Sequence, residues 1–378
     1  MENLSNILGQ KAALEILQRA VKHHRPFHAY LFHGPEAVGK ATTAKAFARA
    51  LMCHKPTSDG DGCGDCPSCR KMASDNHPDF RLIGIERGNA GSGQGGRWRI
   101  SIDQIRQNPD KPRVTPPPLI TDAFYQPIVG KWKVYVIDPA DLLSPDAASA
   151  LLKVLEEPPS YVVIILITSR PAMTLSTLRS RCWPVGFRLA PREEIEKALT
   201  EKGSSPQQAR LFAALSEGRI GWAIANAQKE ELEAARQQTI ELLDRLPVMA
   251  PQEALHFAET LREIATDYST PAQDDESEGE AAARRPGPER GLRASLPAVL
   301  DLALCWFRDL LLVSQQSEGL IANEDFRSLL TRQAAQLNPD QIRACILATL
   351  ETKQYLQRFA NPTLATESLA LRLHQAMA

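Results

Sequence analysis

Residues 28–51 read HAYLFHGPEAVGKATTAKAFARAL, and the order of chemistry along them decides the fold of the first half of the chain. Tyr30, Leu31 and Phe32 form a short apolar run with the character of a buried strand. Gly34-Pro35-Glu36-Ala37-Val38-Gly39-Lys40 then turns into an Ala-rich segment whose apolar face carries Ala44, Phe47, Ala48 and Leu51. Strand, glycine loop with lysine, helix: this is the context that a phosphate-binding loop requires. Gly34 and Gly39 let backbone N–H groups close around phosphate oxygens, Lys40 adds a point charge, and the helix N-terminus adds its dipole. One position departs from the pattern. The hydroxyl that should follow the lysine and hold magnesium is replaced by Ala41, and Thr42 lies one step on, about 100° around the helix. Nucleotide-binding ancestry follows from the stretch; competence as an ATPase does not.

Immediately beyond the helix, Cys53 is followed by Cys63-x2-Cys66-x2-Cys69. Four thiolates suit a tetrahedral zinc ion, and the Gly, Asp and Pro residues between them permit tight turns. A closed set of four ligands is structural and leaves no open catalytic position. His54 competes with Cys53 as the fourth ligand, and a reduced thiol cluster without metal is the plainer alternative. The other three cysteines, Cys182, Cys305 and Cys345, are scattered, a usage that fits a reducing compartment.

The 378 residues carry 44 Lys and Arg against 45 Asp and Glu, a net charge of −1. That balance argues against a chain that grips DNA by itself. With 43% hydrophobic residues, no apolar run of membrane-spanning length and no signal-like N-terminus, the chain reads as globular and cytoplasmic.

Residues 5–24 have the apolar spacing of an amphipathic helix, with Gly9-Gln10 at its start. Residues 79–85 read as a second strand, and the glycine-rich 88–96 as an excursion without a following lysine and helix. A helix start at 101–106, capped by Ser101 or Asp103, gives way to a proline-rich loop over 109–118. Lys133 to Asp138 forms a strand ending in a carboxylate, the place where P-loop enzymes orient magnesium. A helix over 147–157 stops at Pro158-Pro159, and 161–168 (YVVIILIT) is a strand buried on both faces. Leu175 to Cys182 closes the sheet with Arg179 and Arg181 on a turn. Alternating strands and helices predict an α/β, doubly wound parallel sheet to about Phe187. From Ala190 onward the pattern is helical, at 191–202, 206–215, 221–227 and 230–245. Residues 270–291 have the composition of a disordered insertion. Helices resume from Leu292, where Trp306, Phe307, Leu310 and Leu311 make a packing stripe.

On Gly9-Gln10, HAYLFHGP (28–35), the four cysteines, SIDQIR (101–106), ALLKVLEEPP (150–159), LRSRC (178–182) and WFRDLLL (306–312), the chain resembles bacterial clamp-loader subunits of the AAA+ class. The resemblance implies three parts: a P-loop sheet domain over 1–187 with a zinc module at 53–69, a helical lid over 188–247, and an all-α collar over 248–378. It implies membership of a hetero-pentameric ring that loads a sliding clamp on primer–template DNA within the DNA polymerase III assembly. It places Gly34, Gly39, Lys40, Thr42 and Asp138 around a weakly held ATP or ADP. Where hydrolysing relatives have a glutamate, Pro139 stands; where they have a phosphate-sensing arginine, Gly221 stands, with Arg219 reachable by another alignment. Arg181, in an intact Ser-Arg-Cys motif, is implied to act in trans on a neighbour's ATP. The expectation is a largely non-hydrolysing stator, with an active motor ATPase of the same ring as the alternative. A DNA-binding role for the cysteine loop is a third reading, weakened by the few basic residues and absence of aromatics over 55–68.

Overall fold

The most apolar runs of the first half become the middle of one parallel sheet. In a computed structural model, residues 3–85, 99–107, 116–250, 253–268, 288–317, 321–357 and 360–377 are described. Strands β1 (Ala29–His33), β2 (Phe80–Ile83), β3 (Lys133–Ile137), β4 (Val162–Thr168) and β5 (Trp183–Gly186) lie in the order β2-β3-β4-β1-β5. Every pairing is parallel, with Tyr30 opposite Ile165 on one side and Trp183 on the other. β3 and β4 bury every residue, as strands covered on both faces must.

The two faces divide the strand residues alternately. Tyr30, Phe32, Val136 and Ile165 pack with Leu17 of α1 (Lys11–Lys22) and Phe47 of α2 (Lys40–Met52). After α3 (Pro67–Ala73), the short helices α4 (Ile102–Ile105) and α5 (Leu119–Ala123), with α6 (Pro145–Glu156), cover the other face. There Leu31, Tyr135 and Leu166 meet Ile105, Leu119 and Leu151.

The structure corrects the sequence reading in three places. The first helix spans Lys11–Lys22, shorter than 5–24 although Gly9-Gln10 does stand at its start; Gly9 sits at φ +74° against Ala190, and a short turn, Leu4–Asn6, precedes it. Beyond α7 (Ser176–Arg179), the sheet continues into β5, whose Pro184 and Gly186 hide the strand signal and are tolerated because β5 is an edge. The 270–291 stretch contains the first residues of a helix beginning at Pro288; the remainder of it lies outside the described residues, as do 88–96 and most of the 109–118 loop.

By contact density the chain divides into two units, Met1–Ala198 with Ser216–Trp222, and Leu199–Leu215 with Ala223–Ala378. The helices α8 (Arg192–Glu201), α9 (Pro206–Leu215) and α10 (Ile220–Asn226) fall where the pattern placed them, each within one residue at either end. The second unit is built further from α11 (Glu230–Arg245), α12 (Ala254–Asp267), α13 (Pro288–Ser314), α14 (Arg327–Gln336), α15 (Pro339–Gln357) and α16 (Pro362–Met377). α12 and α15 each pack on α13 and α16. Trp306, Phe307 and Leu310 are fully buried in α13 and Leu311 is half-buried. Two buried polar side chains of this unit find close partners: Trp306 Nε1 donates to Gln333 at 3.0 Å, and Asp309 accepts the backbone N–H groups of Ala322 and Asn323. Among the described residues no helix is long and apolar enough to cross a membrane.

Candidate functional site

The carboxyl ends of β1, β3 and β4 bring three loops around a cleft of about 430 Å³, the usual ligand position in an open parallel sheet. Gly34 leaves β1 at φ +146°, and a Cβ there would stand 2.3 Å from the Phe187 carbonyl oxygen, so backbone packing alone demands glycine. Gly39, at φ +93°, caps the N-terminus of α2 and aims the first N–H groups of that helix into the cleft. Lys40 is buried, and its Nζ donates to the carbonyls of Gly34, at 2.8 Å, and Pro35. Burial pulls the Lys40 ammonium below its ordinary pKa, with Asp138, Glu36 and Asp141 opposing that shift.

Ala41 and Thr42 both line the cleft and are exposed. Thr43 is buried instead, and its hydroxyl donates back to the Gly39 carbonyl at 2.8 Å, within its own helix. Asp138 follows β3 directly. Its own burial raises its carboxyl above the usual carboxylate range, with Lys40 opposing and Asp141 adding to the rise. Pro139, beside it, offers no acid group to polarise a water. Sequence reasoning missed two lining residues, Glu36 and Ser169, whose side chains meet at 3.2 Å with the serine hydroxyl donating. A polar residue directly after the apolar β4 was the available signal. Lys40 is therefore the cation among the lining residues, against the carboxylates of Glu36 and Asp138.

Gly221 also lines the cleft, and its N–H donates to the Ala37 carbonyl at the tip of the P-loop, at 2.8 Å. A Cβ at Gly221 would lie 2.7 Å from that oxygen. Arg219 is engaged elsewhere: its Nε donates to the Ser216 carbonyl at 2.9 Å and its guanidinium lies over Trp222.

Arg181 sits apart from the P-loop, on the turn between α7 and β5. Leu178 and Cys182, both buried, anchor the backbone on either side of it. Its Nη1 donates to the Thr177 carbonyl at 3.1 Å and its Nη2 to Glu156 Oε1 at 2.7 Å. With side-chain exposures of 36% and 51% for the arginine and glutamate, this pair contributes about 1 kcal/mol or less to folding. Arg179, two residues earlier, donates to the Pro171 carbonyl at 3.3 Å.

The sulfur atoms of Cys53, Cys63, Cys66 and Cys69 all lie within 4.8 Å of one another. Sγ of Cys53 is 3.9 Å from that of Cys66, and Sγ of Cys63 is 4.0 Å from that of Cys69. A tetrahedron with metal–sulfur bonds of about 2.3 Å has edges of about 3.8 Å, so these four residues can hold a metal ion with little movement. Amide N–H groups of Cys63, Cys66 and Cys69 point at sulfurs of the set, which favours thiolate. Burial pushes the Cys53 and Cys69 thiols up, whereas at Cys66 it is outweighed by such N–H donors and the thiol falls to about 6. His54 is turned away, its Nε2 against the Val129 carbonyl at 2.9 Å. The knuckle is tied down at other points too. Asp61 accepts from Ser5 N, Ser5 Oγ and Gly62 N and faces Arg49 of α2, while buried His77 bonds Ser68 at 2.9 Å.

Residues 9–191 match the protein family described as DNA polymerase III, delta subunit. Over 367 residues the chain is 26% identical to the DNA polymerase III subunit delta' of Bacillus subtilis, covering 97% of this chain and 96% of that protein. It is 29% identical over 230 residues to the delta' subunit of Pseudomonas aeruginosa, 60% of this chain and 62% of the relative. A tau/gamma subunit from Haemophilus influenzae is 32% identical over 199 residues, 52% of this chain but 25% of that longer protein.

Proposed function

We propose, from the premise that the chain belongs to the DNA polymerase III delta-prime family of clamp-loader subunits, that it works as a largely non-hydrolysing stator. In that role it joins motor-type and delta-type subunits in a hetero-pentameric ring, and the ring loads the sliding clamp on primed DNA. Residues 1–187 form the P-loop part, 188–247 a lid and 248–378 the collar of such a subunit.

The lining of the P-loop cleft carries this reading. Hydrolysis needs a hydroxyl for magnesium, an acid to orient water and a cation on the γ-phosphate; the cleft presents Ala41, Pro139 and Gly221 at those places. Gly39, the α2 N-terminus and Lys40 still suit a phosphate, so weak ATP or ADP binding is compatible with the loss of turnover. Arg181 lies outside this cleft and serves a neighbouring subunit's ATP. Zinc is the metal assigned to Cys53, Cys63, Cys66 and Cys69. Bound there, it would supply no reaction chemistry but would join residues 63–69 to the end of α2.

The competing reading, an active motor subunit, would have Thr42 replace the missing hydroxyl from one position further along. Steady-state ATP turnover by the purified chain decides between them. The stator reading expects no magnesium-dependent turnover above a blank; sustained turnover abolished by Lys40→Ala would establish the motor reading instead.

A further inference from the structure

We infer that Glu156 is the residue that positions Arg181 for its work on a neighbouring ATP, so that the LLKVLEEPP segment and the Ser-Arg-Cys turn form one device. This rests on the trans-acting role proposed above for Arg181.

The observation is a pair of hydrogen bonds that fix both ends of the guanidinium fork. Nη2 donates to Glu156 Oε1 at 2.7 Å and Nη1 to the Thr177 carbonyl at 3.1 Å. A guanidinium has five N–H donors in one plane, and these contacts use two of them. The rest stay available to phosphate oxygens while the plane is held. Both partners are placed by backbone features that give them little freedom. Glu156 is the last helical residue of α6, because Pro158-Pro159 follows and Glu157 has already left helical geometry at φ −128° and ψ 67°. Arg181 is held between buried Leu178 and Cys182, with its amide donating to the Leu178 carbonyl at 3.2 Å. Neither residue is buried enough for the pair to matter much to folding, which separates a positioning role from a stabilising one. Glu157, the adjacent carboxylate, is exposed and faces no such partner in the pairs of the described residues, so it serves as a control.

The test is steady-state ATP hydrolysis by the assembled loader carrying variants of this subunit. Thermal melting of each isolated variant and gel filtration of each complex check folding and assembly. Misplacing a catalytic group by about 1 Å costs up to about 10²-fold, so Glu156→Ala should lower kcat at the affected site about tenfold while KM stays unchanged. Glu156→Gln, which keeps a hydrogen-bond acceptor in place, should recover part of that loss, and Glu157→Ala should match the parent. Glu156→Ala combined with Arg181→Ala should be no slower than Arg181→Ala alone. If Arg181→Ala slows the loader but Glu156→Ala leaves it unchanged or speeds it, the positioning role is overturned and the trans arginine survives. If Arg181→Ala itself changes nothing, both assignments fall together.

Discussion

Gly221 is where a single atom would be felt most sharply. It lies in α10, where exchanging glycine for alanine ordinarily gains about 1 kcal/mol. Here the added Cβ would stand 2.7 Å from the Ala37 carbonyl, which already accepts the Gly221 N–H. Overpacking of this kind costs about 1–3 kcal/mol, so the contact should outweigh the propensity. Gly221→Ala is expected to lower the melting temperature by about 2–4 °C; a rise, followed by differential scanning calorimetry, would mean that the P-loop tip yields freely. The same geometry explains why an arginine at this position would have to displace the loop. Gly34, Gly39 and Lys40 were legible in sequence because their spacing is fixed by phosphate geometry. The Glu36–Ser169 and Arg181–Glu156 pairs were not, since each joins residues far apart in the chain that only the parallel sheet and its helices bring together.

At the level of elements, α2 has two duties: its N-terminus faces the cleft and its C-terminus carries Cys53. The purified chain should contain one equivalent of zinc under reducing conditions, and less than half an equivalent by metal analysis would count against the site. Stripping the metal should lower hydrogen-exchange protection over 63–69 while leaving β1, β3 and β4 protected. Residues 53–69 contribute no side chain to either sheet core, Met72 beyond them does, and Asp61, with Ser5 and Gly62, ties the loop down independently of metal. Loss of protection across the sheet would show that the knuckle holds up the fold. Strands β1, β3 and β4 could be read directly, being continuous apolar runs. β5 could not, because Trp183-Pro184-Val185-Gly186 looks like a turn until an edge position is supplied by β1. The four-residue α4 was visible only as a start signal with Ser101 or Asp103 as its cap; the structure caps it at Ser101, whose amide donates to the Gln104 side chain at 3.1 Å.

For the whole molecule, the near-zero charge balance and the parallel sheet followed by helices were visible from composition and periodicity. The contact-based division into two units, which assigns Ser216–Trp222 to the sheet unit, was not, because it depends on contacts such as Gly218 against Leu189 and Gly221 against Ala37. If, as proposed, the chain's own ATP site is inert in cis and Arg181 acts in trans, two substitutions in the same chain should separate. Lys40→Ala and Arg181→Ala, each confirmed folded by thermal melting, would be assembled into the loader and compared for ATP hydrolysis and clamp loading. In the proposed stator role, Lys40→Ala keeps the parental rate. Arg181→Ala should fall, at the one site it serves, by about 10³-fold or more, which lowers total turnover partly and clamp loading severely. Loss of hydrolysis in Lys40→Ala, with Arg181→Ala unimpaired, would contradict that role.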